Sequence, residues 1–461
     1  VPEVPARREG SFVDTSIFLD YHLPNATTWF YFSFILAVTL YFQFSRLFCV
    51  RNLDLLTLFL FAPGLLLLHE GHQRLAEGQT DRGQREVMFG YGCLLGASAY
   101  WFGRTVLDLA LVRRPTGSPN LTTAGLAFLG VALFVAQTSV AVRRTNTDPV
   151  TPVPVGKRPA PIEQVQDQAT TIVQQAPTET IQRASPDDVR FWVERTLCMI
   201  CHAAIVLGLL FIGIRHFQDR VVAIGMGTLY LVIPYTAYDV GRQLHHIWPT
   251  AFLVWAVFSY RRPNVSGWLL GLATGTSLFP VLLYPLWVGF YMRRGAGRFT
   301  AGFLAALALS VGFMVLVLWW GGNAGFGLTS SLNLPDWQPW KVPTAESIWT
   351  GAHWAYRLPL FVVYVAFLIG VSIWPSPKNL SHLIALTSAL LIGVQFWHAD
   401  RGGVYVLWYL PLLILMIFRP NLTGAEPLAT EPSIGVVARL ASAAWRRVRP
   451  LRPDPPKELA V

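Results

Sequence analysis

The chain has 461 residues, 53% hydrophobic and 13% charged, with 36 Lys and Arg against 26 Asp and Glu for a net charge of +10. Soluble domains carry about 25% charged residues, so this composition excludes a water-soluble enzyme, a disordered chain and a secreted disulfide scaffold. The basic residues sit in pairs beside apolar runs, not along one stripe, which argues against nucleic acid as a partner and for a lipid bilayer.

Crossing a bilayer takes about 18 or more apolar residues in a helix. Runs of that kind fall at 28–50, 52–69, 87–111, 122–143, 190–214, 221–238, 245–260, 264–292, 299–320, 357–376, 380–397 and 402–418. They predict an all-α, polytopic integral membrane protein of about 11–13 transmembrane helices. A β-barrel would alternate polarity over segments of about 10 residues, and the sequence does not. Residues 1–27 read as an external N-terminal segment and 28–143 as a four-helix front portion. The chain opens Val1-Pro2-Glu3-Val4 with no cleavable signal peptide in view. An additional helix upstream is compatible with that start. Asp54 and Asp108 read as partners of Arg51 and Arg104.

The stretch 144–189 is rich in Pro, Gln and Thr. Such a composition buries too little apolar surface to fold, so a disordered linker is expected. The membrane core follows at 190–418, then a polar tail at 419–461, where 434–449 can form a basic amphipathic helix on a membrane surface.

Cys198-Met199-Ile200-Cys201-His202 matches the pattern of covalent haem attachment. Its flanks are apolar and helical, whereas attachment needs an exposed, flexible segment, so no haem is expected. Zinc would need further ligands, and no metal or other cofactor is assigned. Tyr238-Asp239-Val240-Gly241-Arg242-Gln243-Leu244-His245-His246 places many polar side chains between two apolar runs. That is costly unless they are solvated or used. Asp239 can accept a proton from a hydroxyl, and Arg242 with a protonated histidine can neutralise a phosphate.

Segment 264–292 would span about 43 Å as one helix, beyond the roughly 30 Å hydrocarbon core. Gly271, Gly275, Pro280 and Pro285 interrupt it, and arginines flank it at 261–262 and at 293, 294 and 298. A hairpin of two short helices, broken near Ser277–Pro280, returns both clusters to the cytoplasmic side. The external loops are then 1–27, 70–86, 144–189, 239–244, 321–356 and 398–401. A raw count of basic residues instead favours a single span. Loop 321–356 holds Asp336, Trp337, Trp340, Glu346, Trp349, His353 and Trp354. Tryptophan favours the membrane–water interface, so short interfacial helices are expected there. Gln395-Phe396-Trp397-His398-Ala399-Asp400-Arg401-Gly402-Gly403 forms a second polar turn on the external side, with His398, Asp400 and Arg401 as candidate ligands for a phosphate or sugar. A solvated, salt-bridged connector explains each turn equally well.

The run from Gly241-Arg242-Gln243 through His246-Ile247-Trp248-Pro249, Arg261-Arg262-Pro263, Gly267, Gly271, Gly275 and Pro280 to Arg293-Arg294 resembles the core of the family 87 glycosyltransferases, membrane enzymes of the glycosyltransferase-C superfamily. The resemblance covers about 235–300 and, more loosely, 395–420; the front portion shows none. It departs at Arg242, inside the usual Gly-Gln turn, and at Ser277, where the family carries Lys. The superfamily's essential acid follows its first membrane helix, while Asp14 and Asp20 here precede 28–50.

The resemblance favours the hairpin. It implies transfer of a sugar, mannose in the nearest cases, from a polyprenyl-phosphate donor to an acceptor on the external face of a bacterial inner membrane. Asp14 or Asp239 would be the base. Arg242, Gln243, His245, His246, His398 and Arg401 would surround the phosphate, with Asp336, Glu346, His353 and Asp400 also facing substrate. A transporter or flippase of a lipid-linked or anionic substrate, using the broken helix as its site, and a non-catalytic scaffold are the alternatives.

Overall fold

The computed structural model describes residues 26–111, 119–144, 160–175, 185–239, 243–292, 294–320, 337–340, 347–398 and 401–427. Among them the chain is helical, with no strand. In order the helices are α1 (Ala26–Tyr41), α2 (Val50–Thr57), α3 (Phe61–Ala76), α4 (Thr80–Leu107), α5 (Thr123–Arg143), α6 (Ala160–Gln174), α7 (Pro186–Ile212), α8 (Arg220–Val232), α9 (Pro234–Asp239), α10 (Leu244–Phe258), α11 (Pro263–Thr276), α12 (Tyr284–Phe290), α13 (Ala296–Trp320), α14 (Leu358–Ile373), α15 (Leu380–Trp397) and α16 (Val406–Phe418). Six stretches are long and apolar enough to cross a membrane: Val50–Ala76, Thr123–Arg143, Pro186–Phe217, Ala296–Leu316, Trp354–Ile373 and Leu380–Trp397.

The centre is built from the most continuously apolar sequence. Every residue of α16 is buried, and α15 is buried along nearly its whole length. Helices α5, α13 and α14 leave apolar faces exposed at Phe128, Val131, Leu309, Phe313, Val362 and Val363. A helix satisfies its own backbone, so such faces can meet lipid.

One end of the bundle is fixed by a buried chain of alternating charges. Arg104 Nε and Nη2 donate to the two carboxylate oxygens of Asp54 at 2.6 Å each, and Arg104 Nη1 donates to Asp108 at 3.1 Å. Arg419, just beyond α16, donates to Asp108 Oδ2 from Nε at 2.8 Å and Nη2 at 2.7 Å. All four residues are buried. The Asp108–Arg104 pair matches the sequence expectation, because residues four apart share a helix face. For Asp54 the structure adds a partner that the sequence did not indicate: Arg104 binds it in bidentate fashion, since α2 and α4 meet here. The network closes through Arg419, from the far end of the chain. The first residues of the tail also pack on the bundle: Ala425 accepts from the Leu380 amide, and Glu426 pairs with Arg294.

The interrupted segment folds as a hairpin. Helix α11 stops at Thr276, Ser277 is extended, and a short 3-10 turn (Phe279–Leu283) leads into α12. Tyr291 donates its hydroxyl to the Tyr260 carbonyl at 2.7 Å, so the two ends of the segment lie together. Glycine makes the fit possible. A Cβ at Gly267 or Gly271 would strike the backbone carbonyl of Phe299 or Phe303 on α13. Rings of α12 and of the residue that follows it also return along α13, Tyr284 meeting Phe303 and Tyr291 meeting Phe299.

The region 144–189 departs from the expected disordered linker, because 160–174 forms α6. Ile162, Gln166 and Thr170 follow at a spacing of four and are buried; Arg190 on α7 pairs with Glu163 and Asp167. Composition was a poor guide here, since one narrow stripe and two ion pairs dock an otherwise polar helix. The amphipathic stretch at 434–449 lies outside the described residues, as do residues 1–25.

Candidate functional site

At the opposite end of the bundle from the arginine network, two polar turns meet. The first leads into α10. Gln243 takes a left-handed conformation, φ 65°, and is buried. That conformation is uncommon for a residue with a side chain, and non-glycine cases concentrate at functional sites. The turn delivers His245 and His246 to the first turn of α10, both buried, with ring centroids 4.0 Å apart. A proline helps knit this level together. Proline removes the amide that would bond the carbonyl four residues back. Pro411 in α16 thereby leaves the Leu407 carbonyl, which accepts from Thr250 Oγ1 of α10 at 3.3 Å.

The second turn joins α15 to α16 and is held from within. The buried Gln395 carbonyl oxygen accepts from the amides of Gly403 at 2.8 Å and Tyr405 at 3.3 Å. This fixes a turn in which Arg401 has φ 44° and Gly403 has φ 100°. The two turns then join through rings. His246 lies 5.1 Å from Tyr405, Tyr405 5.6 Å from His398, and His398 4.7 Å from Trp337. Arg401 sits in the same turn, its carbonyl accepting from the Val404 amide at 3.2 Å. The tip of the α11–α12 hairpin arrives from the other side, with Phe279 stacked on Trp408 at 3.8 Å and Trp408 4.2 Å from Tyr405. Part of the 321–356 region covers the assembly: Trp349 donates to the Phe396 carbonyl at 3.2 Å, and Arg357 donates to the Gln338 and Pro339 carbonyls.

Of the residues expected at the site, Gln243, His245, His246, His398 and Arg401 converge here. His353 does not join them; it is exposed and caps the short turn Trp354–Tyr356 by accepting from the Ala355 amide. Asp14, Arg242, Asp336, Glu346 and Asp400 lie outside the described residues, and so does the side chain of Asp239. The interfacial helices expected within 321–356 likewise fall mostly outside them. Residues that sequence reading left unassigned are Gln395, Tyr405, Trp408 and Phe279. Only Gln395 gave a signal, as an amide inside an apolar helix.

Chemically the assembly offers fixed positive charge, imidazole and flat aromatic faces in a dry setting. Neither ring nitrogen of His246 has a hydrogen-bond partner among the described residues, nor do Trp408 Nε1 and Gln395 Nε2. Buried polar atoms are ordinarily paired, so several orphans in one cluster suit a polar ligand. No group of three or more His, Cys, Asp or Glu suited to a metal occurs among the described residues.

The Cys198–His202 motif lies elsewhere, along α7. Both cysteines are buried and neither forms a disulfide, and the His202 ring bonds the Tyr230 hydroxyl at 2.9 Å. Attaching a haem there would require α7 to separate from α8.

No protein-family model, curated protein or solved structure matches this chain.

Proposed function

We propose that this chain is a multi-pass membrane glycosyltransferase that transfers a sugar, mannose being the first to test, from a polyprenyl-phosphate donor to an acceptor hydroxyl. The observation that carries the reading is the convergence of His246, Tyr405, His398 and Arg401 around the hairpin tip at Phe279. A lipid-linked donor accounts for a cationic site enclosed by membrane helices, and an aromatic face suits the apolar side of a sugar ring. In the reaction the acceptor oxygen bonds to the sugar's anomeric carbon as the bond to the phosphate oxygen breaks. Asp239 or Asp14 takes the hydroxyl proton. Arg401, Arg242 and the histidines neutralise the departing lipid phosphate.

In the topology that goes with this reading, the six long stretches, the shorter helices α1, α8, α10 and α16, and the long α4 each cross once, and α11–α12 re-enters from the cytoplasmic side. On this reading the site faces outward from a bacterial inner membrane and the Arg104–Arg419 network faces inward.

The test is turnover of polyprenyl-phosphate mannose by the purified protein. Arg401→Ala and His246→Ala should each lower the rate of polyprenyl-phosphate release about 10²-fold, the effect typical of losing one preorganised charge or donor. The broken segment at Ser277–Leu283 favours a second reading, transport, because discontinuous helices build transporter sites. Movement of a lipid-linked sugar across vesicles without cleavage would select that reading.

A further inference from the structure

The inner end of the bundle carries two kinds of arginine. Arg104, Arg294 and Arg419 are neutralised by Asp54 and Asp108, Glu426, and Asp108 respectively. Lys378, also buried at this end, donates to the Ser372 carbonyl. Arg215, Arg261 and Arg262 are exposed, and among the described residues no carboxylate pairs with them. The nearest acid in sequence, Asp219, is occupied: its Oδ1 accepts the amides of Val221 and Val222 at 2.9 and 3.0 Å, capping α8.

The fold gathers these cations. The last turn of the α7 stretch, Gly213–Phe217, is a π-turn closed by Gln218 at φ 57°, and such turns concentrate at functional sites. It sets Arg215 beside His216, whose Nε2 bonds the Phe258 carbonyl at 2.7 Å and whose ring meets Tyr260 edge-on at 4.8 Å. Arg261 donates to the Tyr260 hydroxyl at 3.1 Å, and its guanidinium lies 5.7 Å from that ring. Orientation of the chain in a membrane requires basic residues on one side; it does not require them to converge from two helix ends without counter-charge.

What lies next to the cations identifies the counter-charge. Leu207 and Phe211 on α7, four apart, share one face, Ile214 follows them in the π-turn, and all three are exposed. Phe211 continues onto α10 through Trp255 and Phe258. An apolar strip therefore runs along the helices and ends in a pair of arginines. That arrangement matches one molecule with both features, acyl chains against the strip and a phosphodiester between the guanidinium groups.

We infer that Arg215, Arg261 and Arg262, with the Leu207–Phe211–Ile214 strip, form a binding site for an anionic glycerophospholipid on the face opposite the candidate catalytic site. The inference stands on different residues from the proposed glycosyltransferase site and does not depend on it.

The full chain, purified from bilayers of phosphatidylglycerol and phosphatidylcholine, should retain phosphatidylglycerol selectively by native mass spectrometry. A basic residue near an anionic surface is worth about 1 kcal/mol, which is about fivefold in affinity. Arg215→Gln with Arg261→Gln should therefore weaken retention roughly 25-fold. Arg82→Gln with Arg85→Gln, the same charge change at the exposed start of α4, should leave retention unchanged, and Arg215→Lys with Arg261→Lys should stay within about threefold of the parent. Undiminished retention in the Gln pair overturns the site. Equal loss in the Lys pair shows that packing, not charge, governs retention, and also overturns it. Displacement of the lipid by millimolar inorganic phosphate alone would make the ligand a free anion and overturn the assignment to lipid.

Discussion

Removing Arg104 should unlock the end of the bundle where four buried charges alternate. Its guanidinium makes two hydrogen bonds to Asp54 at 2.6 Å and one to Asp108 at 3.1 Å, and both carboxylates are 1% exposed. A hydrogen bond to a charged group contributes about 1.5–3 kcal/mol, so three bonds gross roughly 5–9 kcal/mol, from which the cost of burying the cation is subtracted. Breaking one partner of a buried pair typically costs 3–5 kcal/mol, and Arg104→Leu should fall in the upper part of that range because it removes three hydrogen bonds from two buried carboxylates, although Asp108 keeps those from Arg419. Arg82→Leu removes an ion pair with Glu86 whose arginine is 64% exposed and should cost at most about 1 kcal/mol. The double variant Asp54→Leu with Arg104→Leu removes the bidentate pair as a unit. It should lose about 2 kcal/mol less than the sum of its parts, within the range found for groups in contact. Thermal melting in detergent, followed by the fluorescence of the 17 tryptophans, gives the ranking. The reasoning fails if Arg104→Leu melts no lower than Arg82→Leu, or if the double loss is additive.

The hairpin makes a second expectation. With Cys49 and Cys93 replaced by Ala, Arg262→Cys and Arg298→Cys should react with an impermeant maleimide from the same side of the membrane; labelling from opposite sides would mean that 264–292 spans. Gly267→Ala should destabilise by about 1–3 kcal/mol, the usual cost of overpacking, because its Cβ meets the Phe299 backbone. Gly297→Ala, with open space around it, should cost nothing measurable. Lys378 is buried, and burial holds its ammonium below the usual lysine range. The unfolded chain therefore binds the extra proton between the folded value and about 10.4, so this residue's penalty on folding eases as pH rises through that window. Lys378→Met should be more stable than the parent at pH 7, with the gap narrowing toward pH 10; a gap that widens with pH would contradict the sign.

Much of this architecture is readable in the sequence where local rules suffice. Length, glycine spacing and flanking arginines foretell the hairpin and its break, because a helix of that length exceeds the bilayer. The Asp108–Arg104 pair follows from helix periodicity. Arg419 cannot be read the same way, since it closes the network from 311 positions away and its partner depends on how α16 ends against α4. The Asp54–Arg104 pair, 50 positions apart, likewise depends on how α2 meets α4. At the candidate site the charged and imidazole groups were legible as costs in an apolar context. Tyr405, Trp408 and Phe279 were not, because an aromatic ring in an apolar helix looks the same whether it packs a core or lines a site. Helix α6 shows the converse, a polar stretch docked by three buried side chains and two ion pairs.

The central claim is that the turns at 243–246 and 401–405, with the hairpin tip at Phe279, hold a lipid-linked phosphate. Photocrosslinking with a polyprenyl-phosphate sugar bearing a diazirine on its first isoprene unit, mapped by peptide mass spectrometry, tests it most directly. The account predicts adducts on 243–250, 277–283 and 401–408, competed away by unlabelled donor and lost in Arg401→Ala. Adducts confined to the lipid-facing sides of α5, α13 and α14, or unchanged in Arg401→Ala, would contradict it.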